Sequence, residues 1–147
     1  MILNWKTVES LEVPLEIDKN LSTSGVYYRK NIVESEGKFS YEEVVLSNEF
    51  RFDIEDTEEY IEAINNEIAL INSKLHITKL DFYNALCKPA NISYATLMLK
   101  VSELSIEAEW NLCNHVYYGV IKPFLSVLPL GKTEDEIIEI FENLQTE

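Results

Sequence analysis

The chain has 147 residues, 46% of them hydrophobic, and carries 26 acidic against 12 basic side chains for a formal charge of −14. That is enough apolar chain for one ordinary core or two small linked ones, and the charge repels a nucleic-acid backbone or an anionic membrane surface, so neither is expected as a direct partner. Two cysteines, Cys87 and Cys113, with no signal peptide and no apolar run of a membrane-spanning length, predict a soluble protein of a reducing compartment without a disulfide.

From Ile2 to Val13 the residues are mixed, and Trp5, Val8 and Leu11 at steps of three fit either a helical turn or an irregular edge segment. Glu12 to Ile17 alternates in part, and Pro14 confines any strand there to a sheet edge or a strand start. Asp18 to Gly25 reads as a loop. Val26 to Glu34 is the best strand, with Val26, Tyr28 and Ile32 on one face and Tyr27, Arg29 and Val33 on the other. Lys30 interrupts the inward set. Glu36 and Gly37 make a turn, and Phe39 to Leu46 returns antiparallel. Such a hairpin or meander is marginal alone, so it must pack on a helix, gain a third strand or pair with another chain.

Asp56 to His76 has the cleanest periodicity in the sequence. Ile61, Ile64, Ile68, Ile71 and Leu75 recur at steps of three and four and lie on one helical seam. Asp56 and Glu59 form a capping box, and the acids of the first turns with Lys74 and Lys79 at the far end suit the helix dipole. The seam has two readings. It packs on its own chain, since the repeat is shorter than the three to four heptads of a coiled coil. Alternatively it joins copies, and isoleucine at both seam positions favours a trimer.

Further capping boxes follow at Thr78–Asp81, opening a short helix that Pro89 ends, and at Thr133–Glu136, opening a C-terminal helix with Ile137, Ile140, Phe141 and Leu144 on one side. Between them Ser93 caps a helix with Leu97, Val101 and Leu104, and another helix is predicted from about Ser105 to Tyr118, burying Trp110 and ending at Gly119. Phe124 to Leu128, between prolines, has room for a helical turn or two. The fold class is therefore α+β: an N-terminal β module over 1–54, a central amphipathic helix over 55–77 and a C-terminal helical bundle over 78–147.

The run Val26-Tyr27-Tyr28-Arg29-Lys30-Asn31-Ile32 with Tyr41-Glu42-Glu43 resembles small proteins encoded in the late, tail-associated region of phages and prophages of Gram-positive bacteria. Leu130-Gly131-Lys132-Thr133-Glu134-Asp135-Glu136-Ile137-Ile138-Glu139-Ile140-Phe141, with Thr78-Lys79-Leu80-Asp81-Phe82 before it, is similar to helical proteins of that region. The resemblance covers about half the chain. It implies a structural, assembly-related or accessory protein of the host bacterial cytoplasm during infection or of the virion, with other phage structural proteins or itself as partner.

The residues offer little chemistry. The glycines are isolated, so no loop resembles a phosphate cradle, and HExxH, GxSxG and paired CxxC are absent. Cys113 and His115, with Cys87 and His76, would make a Cys2His2 set at spacings unlike a zinc module, and a core or surface pair is the simpler account. Paired glutamates such as Glu58 and Glu62 read as solvated helix face. No catalytic residue, metal or cofactor is expected. The binding candidates are the seam and the aromatic set Tyr27, Tyr28, Phe39 and Tyr41, which serves either a partner surface or cross-strand packing. Acidity is spread along the chain, as on solvated surfaces generally. Its functional alternative is a phage-encoded inhibitor of a bacterial defence nuclease that imitates nucleic acid.

Overall fold

The N-terminal sheet grows from its hairpin. β1 (Lys6–Ser10), β2 (Ile17–Asp18), β3 (Val26–Ser35) and β4 (Lys38–Leu46) form one antiparallel sheet in the order β1-β4-β3-β2. Glu36 and Gly37 join β3 to β4 with φ of 52° and 78°, the left-handed pair that matches a two-residue turn to the twist of its strands. The expected meander is present as β2-β3-β4, and β1, from the undecided N-terminal stretch, adds a fourth strand beside β4; β2 is the last residue of the proline-bearing stretch, Ile17, with Asp18 of the expected loop. The computed structural model describes residues 1–20 and 24–145; positions 21–23 of the loop expected over 18–25 lie outside the described residues.

The pleat is reset once. Between Lys30 and Val33 the register shifts by one residue at Asn31, whose φ is 54°, and this bulge flips the faces beyond it. Val33 therefore shares the face of Lys30, not that of Arg29, and Ile32 takes the opposite one. The expected alternation holds only up to Lys30. There the lysine stem is accommodated because its ammonium sits 4.1 Å over the Trp5 ring.

The long helix α1 spans Thr57–Ser73. Asp56 caps it, Oδ1 accepting from the Glu59 N–H at 2.9 Å. It stops short of the predicted end, so Leu75 and both lysines lie beyond it. The chain divides into two compact units within this helix: Leu3–Ile68 forms one, and Met1–Ile2 with Ala69–Glu147 the other. In the first, Val26, Val44, Leu46, Phe50, Tyr60 and Ile64 are buried. The Tyr60 hydroxyl donates to the Phe50 carbonyl and accepts from the Phe52 N–H, and Lys19, over the Tyr60 ring, donates to the Ile54 carbonyl at 2.7 Å.

The second unit is helical with one small sheet. β5 (His76–Thr78) leads into α2 (Lys79–Phe82), which continues as a π-helical turn over Tyr83–Cys87. α3 (Tyr94–Glu103), α4 (Glu107–Leu112), β6 (His115–Tyr117), α5 (Tyr118–Ile121) and α6 (Glu134–Leu144) follow. Thr78, Ser93 and Thr133 each accept from the backbone N–H three residues on, as their spacing predicts. Phe82 is central, 5.9 Å from Trp110 and 6.5 Å from Phe141 between ring centroids, with Tyr118 against Phe141 at 5.7 Å.

The helix predicted over 105–118 is the main correction. Only Glu107–Leu112 is helical; Cys113 is extended, and His115–Tyr117 pairs antiparallel with β5. The break begins earlier, where α3 closes in a Schellman turn: Ile106 N–H donates to the Val101 carbonyl and Ser105 N–H to that of Ser102. Ser105 occupies the left-handed position, φ 59°, which is costly for a residue with a Cβ. Gly119 does not end a helix. It lies in α5 against the end of α1, where an added Cβ would come 2.9 Å from both the Ser73 Cβ and its carbonyl oxygen.

Two substitutions of opposite sign follow from this geometry. Gly119→Ala is expected to cost about 1–3 kcal/mol by overpacking, whereas Ser105→Gly should add about 0.5–1 kcal/mol by relieving the left-handed turn. Urea denaturation read by circular dichroism measures both.

Candidate interaction surface

The sequence-predicted binding residues do not form one patch. Strand register places Tyr27, Phe39 and Tyr41 on the outer face of the sheet and Tyr28 on the inner one, where its ring meets Trp5 edge-on at 4.9 Å. Tyr41 is only 6% exposed. Along the seam, Ile64 is fully buried, Leu75 is buried, and Ile61, Ile68 and Ile71 are half-buried. Leu75 belongs to the core of the C-terminal unit and Ile71 lines a cavity beside it. A partner reaching this seam would first displace packing within the chain.

What covers Tyr41 is a strap that the sequence did not announce. β1 and β2 are opposite edges of the sheet, so residues 11–16 must cross from one to the other. They pass over the outer face, forming with it a cavity of about 250 Å³ lined by Val13, Pro14 and Leu15 of the strap and by Arg29 and Tyr41 of the sheet. Arg29 fastens the strap. Its backbone N–H donates to the Glu16 carbonyl at 2.7 Å and its Nη1 to the Leu15 carbonyl at 3.2 Å. Nε donates to Glu43 Oε2 at 2.8 Å, Nη1 lies 3.7 Å from Asp18, and the guanidinium stands over the rings of Tyr27 and Tyr41 at 5.1 and 5.7 Å. With its side chain 14% exposed, this is a charge held by two carboxylates and two aromatic faces. No signal was available beforehand, because a regular hairpin turning at Glu36 and Gly37 sets Arg29 opposite Val44, and only the bulge at Asn31 brings Glu43 there.

Of the strap residues 11–16 only Pro14 is half-buried; the other five are exposed. Leu11, Val13 and Leu15 are 77, 73 and 64% exposed, three large apolar side chains in succession that water does not favour. They were not among the expected binding residues.

The other candidate groups fall in the C-terminal unit. His76 and His115 come together across the β5–β6 pair, ring centroids 5.3 Å apart, and Tyr117 lies 5.0 Å from His76. Among the described residues no three His, Cys, Asp or Glu side chains are grouped to hold a metal ion, and no helix is long and apolar enough to cross a membrane. Cys87 is fully buried, and burial pushes its thiol up to about 11. Burial, then the hydrogen bond its hydroxyl makes to Glu134 at 2.7 Å, raises the Tyr118 phenol well above its ordinary range. That bond lowers the Glu134 carboxyl, aided by Lys122.

Comparison of the chain with protein-family models, curated proteins and solved structures finds no match.

Removing the clamp tests its structural weight. Arg29→Met is expected to cost about 3–5 kcal/mol because it leaves Glu43 and Asp18 facing each other without a counter-charge, and limited proteolysis should then cut first within 11–16. The Tyr118 pair predicts a pH profile. A raised phenol stabilises the fold below the unfolded value near 10 and is lost as pH climbs beyond it, and the raised Cys87 thiol starts the same decline from about 9. The lowered Glu134 carboxyl acts oppositely, its stabilisation fading as pH falls below the ordinary carboxylate range. Melting temperatures across pH 3 to 11 should show both limbs, and Tyr118→Phe should flatten the acid limb while leaving the alkaline decline due to Cys87.

Proposed function

We propose that the protein is a non-enzymatic component or assembly factor of a phage tail region and works by protein–protein contact, with the strap over the outer sheet face as its contact surface. The observation that carries the contact reading is the fastened run of Leu11, Val13 and Leu15: an exposed apolar stripe on a segment held by a half-buried arginine is pre-organised for a partner. The phage context rests on the resemblance of the hairpin and C-terminal segments. The partner is another tail-region protein or a second copy of the chain.

A second reading, an acidic inhibitor of a bacterial defence nuclease, draws on Glu55, Asp56, Glu58, Glu59 and Glu62, all exposed around the start of α1. Its complex would weaken steeply as salt rises, whereas a contact made by the strap is apolar and largely salt-tolerant.

Co-expression with the proteins of the surrounding late gene cluster, followed by absolute mass from light scattering, tests the reading. Wild type should form a defined complex, with itself or a tail protein, that persists at high salt. The combined Leu11→Ser, Val13→Ser and Leu15→Ser variant should keep its melting temperature within a few degrees and lose the complex at least tenfold in affinity. Unchanged assembly by the variant removes the strap from the interface, and a monomer that joins none of these proteins removes the tail reading.

A further inference from the structure

A cavity of about 230 Å³ in the C-terminal unit is built by one contiguous stretch, residues 106–121. Buried Ile106, Trp110, Val116 and Ile121 form its floor, and Leu112, Tyr117 and Val120 stand at its rim. Leu112 is 85% exposed, an apolar side chain beside an apolar hole. The walls are held from three sides. The Schellman turn fixes Ile106, the β5–β6 pairing fixes Val116, and the Tyr118 N–H donates to the Leu75 carbonyl at 2.8 Å to anchor α5. The hole is thus pre-formed.

Its size and charge restrict what it takes. The volume is below the roughly 300–1,000 Å³ of ordinary small-molecule pockets and suits one large side chain. The lining stretch carries Glu107 and Glu109 and no lysine or arginine; Glu109 lines the cavity itself. Lys79 stands over the Trp110 ring at 5.4 Å but is not among the lining residues. A pocket that seats one apolar anchor inside a ring of exposed hydrophobic residues has the anatomy of an interface hot spot, and the carboxylates add a preference for a cationic neighbour.

We propose that this cavity is a socket for a single large apolar side chain, tryptophan, phenylalanine or leucine, presented beside lysine or arginine by a partner protein. This rests on the contact reading above and adds a second, independent attachment point to the strap.

Cys113 lines the socket and reports on it. It is partly exposed, whereas Cys87 is fully buried, so alkylation by iodoacetamide followed by mass spectrometry reads occupancy at Cys113. End-blocked Gly-Lys-Trp-Lys-Gly at millimolar concentration is the probe, and the alkylation rate should fall about fivefold by simple mass action. The Gly-Lys-Ala-Lys-Gly and Gly-Glu-Trp-Glu-Gly peptides should slow it less than twofold. Val120→Trp, which fills the mouth, should abolish the protection, and the Glu107→Lys, Glu109→Lys pair, on the exposed side of α4, should transfer it to the glutamate-flanked peptide. Equal protection by all three peptides, no protection, or protection indifferent to the charge swap overturns the proposal. Protection that rises with the protein's own concentration, without peptide, assigns the socket to a second copy and overturns the partner named here. If the peptides fail while the strap-dependent complex forms, the socket alone is wrong; if they bind while no tail complex forms, the socket stands without the tail context.

Discussion

The N-terminal unit depends on the placement of one positive charge. Arg29 is in the central strand pair of a sheet whose outer face would otherwise be open, and it draws a strap across that face by bonding its carbonyls. Desolvating a guanidinium is costly, and the arrangement offsets that cost with two carboxylates, one carbonyl and two aromatic faces. Tyr41 is buried as a consequence. So is the exposure of Leu11, Val13 and Leu15, which belong to a segment that lies over the sheet and not within it. The same interaction therefore covers Tyr41 and carries the apolar stripe, so packing and exposed apolar surface fall within the same six residues.

Local signals were legible in the sequence, and they were legible because their physics is local. Asp56, Thr78, Ser93 and Thr133 each cap the helix they were expected to cap, since a side-chain oxygen three residues from an unpaired N–H needs nothing else from the fold. The Glu36-Gly37 turn belongs to the same class. What failed were pairings between distant residues. His115–Tyr117 has helix-compatible neighbours on both sides, and only hydrogen bonds to His76–Thr78, almost forty positions away, make it a strand. β1 was undecidable for the same reason, because its partner β4 lies beyond an intervening strand pair. The end of α3 was placed correctly near Leu104, whereas the left-handed Ser105 delays the next helix to Glu107, and a serine there carries none of the warning that glycine gives.

The candidate sites were less legible than the fold. An aromatic set read along the sequence was divided by the pleat into two faces, and the strap was overlooked because proline and partial alternation suggested an edge strand rather than a crossing. The isoleucine seam shows most clearly how a correct pattern misleads. Its spacing is helical, and α1 is a helix over most of it, yet the division between the two units falls between Ile68 and Ala69. Ile61, Ile64 and Ile68 belong to one unit, Ile71 and Leu75 to the other. What reads as a stripe of two and a half heptads is two shorter stripes placed end to end, each serving its own core.

That division bears on which apolar side chains the two cores leave outside. A heptad stripe on an independent helix is free to meet other copies, and its length then decides whether it does. Here the stripe is consumed at both ends, Ile64 fully buried in the first unit and Leu75 in the core of the second, so recognition has to fall on what the cores leave outside. The exposed large hydrophobic residues include two groups that fit this role, Leu11, Val13 and Leu15 in the first unit and Leu112, Tyr117 and Val120 in the second. The first group is on the strap that Arg29 holds through the Leu15 and Glu16 carbonyls, and the second lies around β6, which pairs with β5. In a chain of net charge −14, such neutral apolar islands are where two like-charged copies or an acidic partner approach with least repulsion, and where a partner of opposite charge gains both burial and attraction.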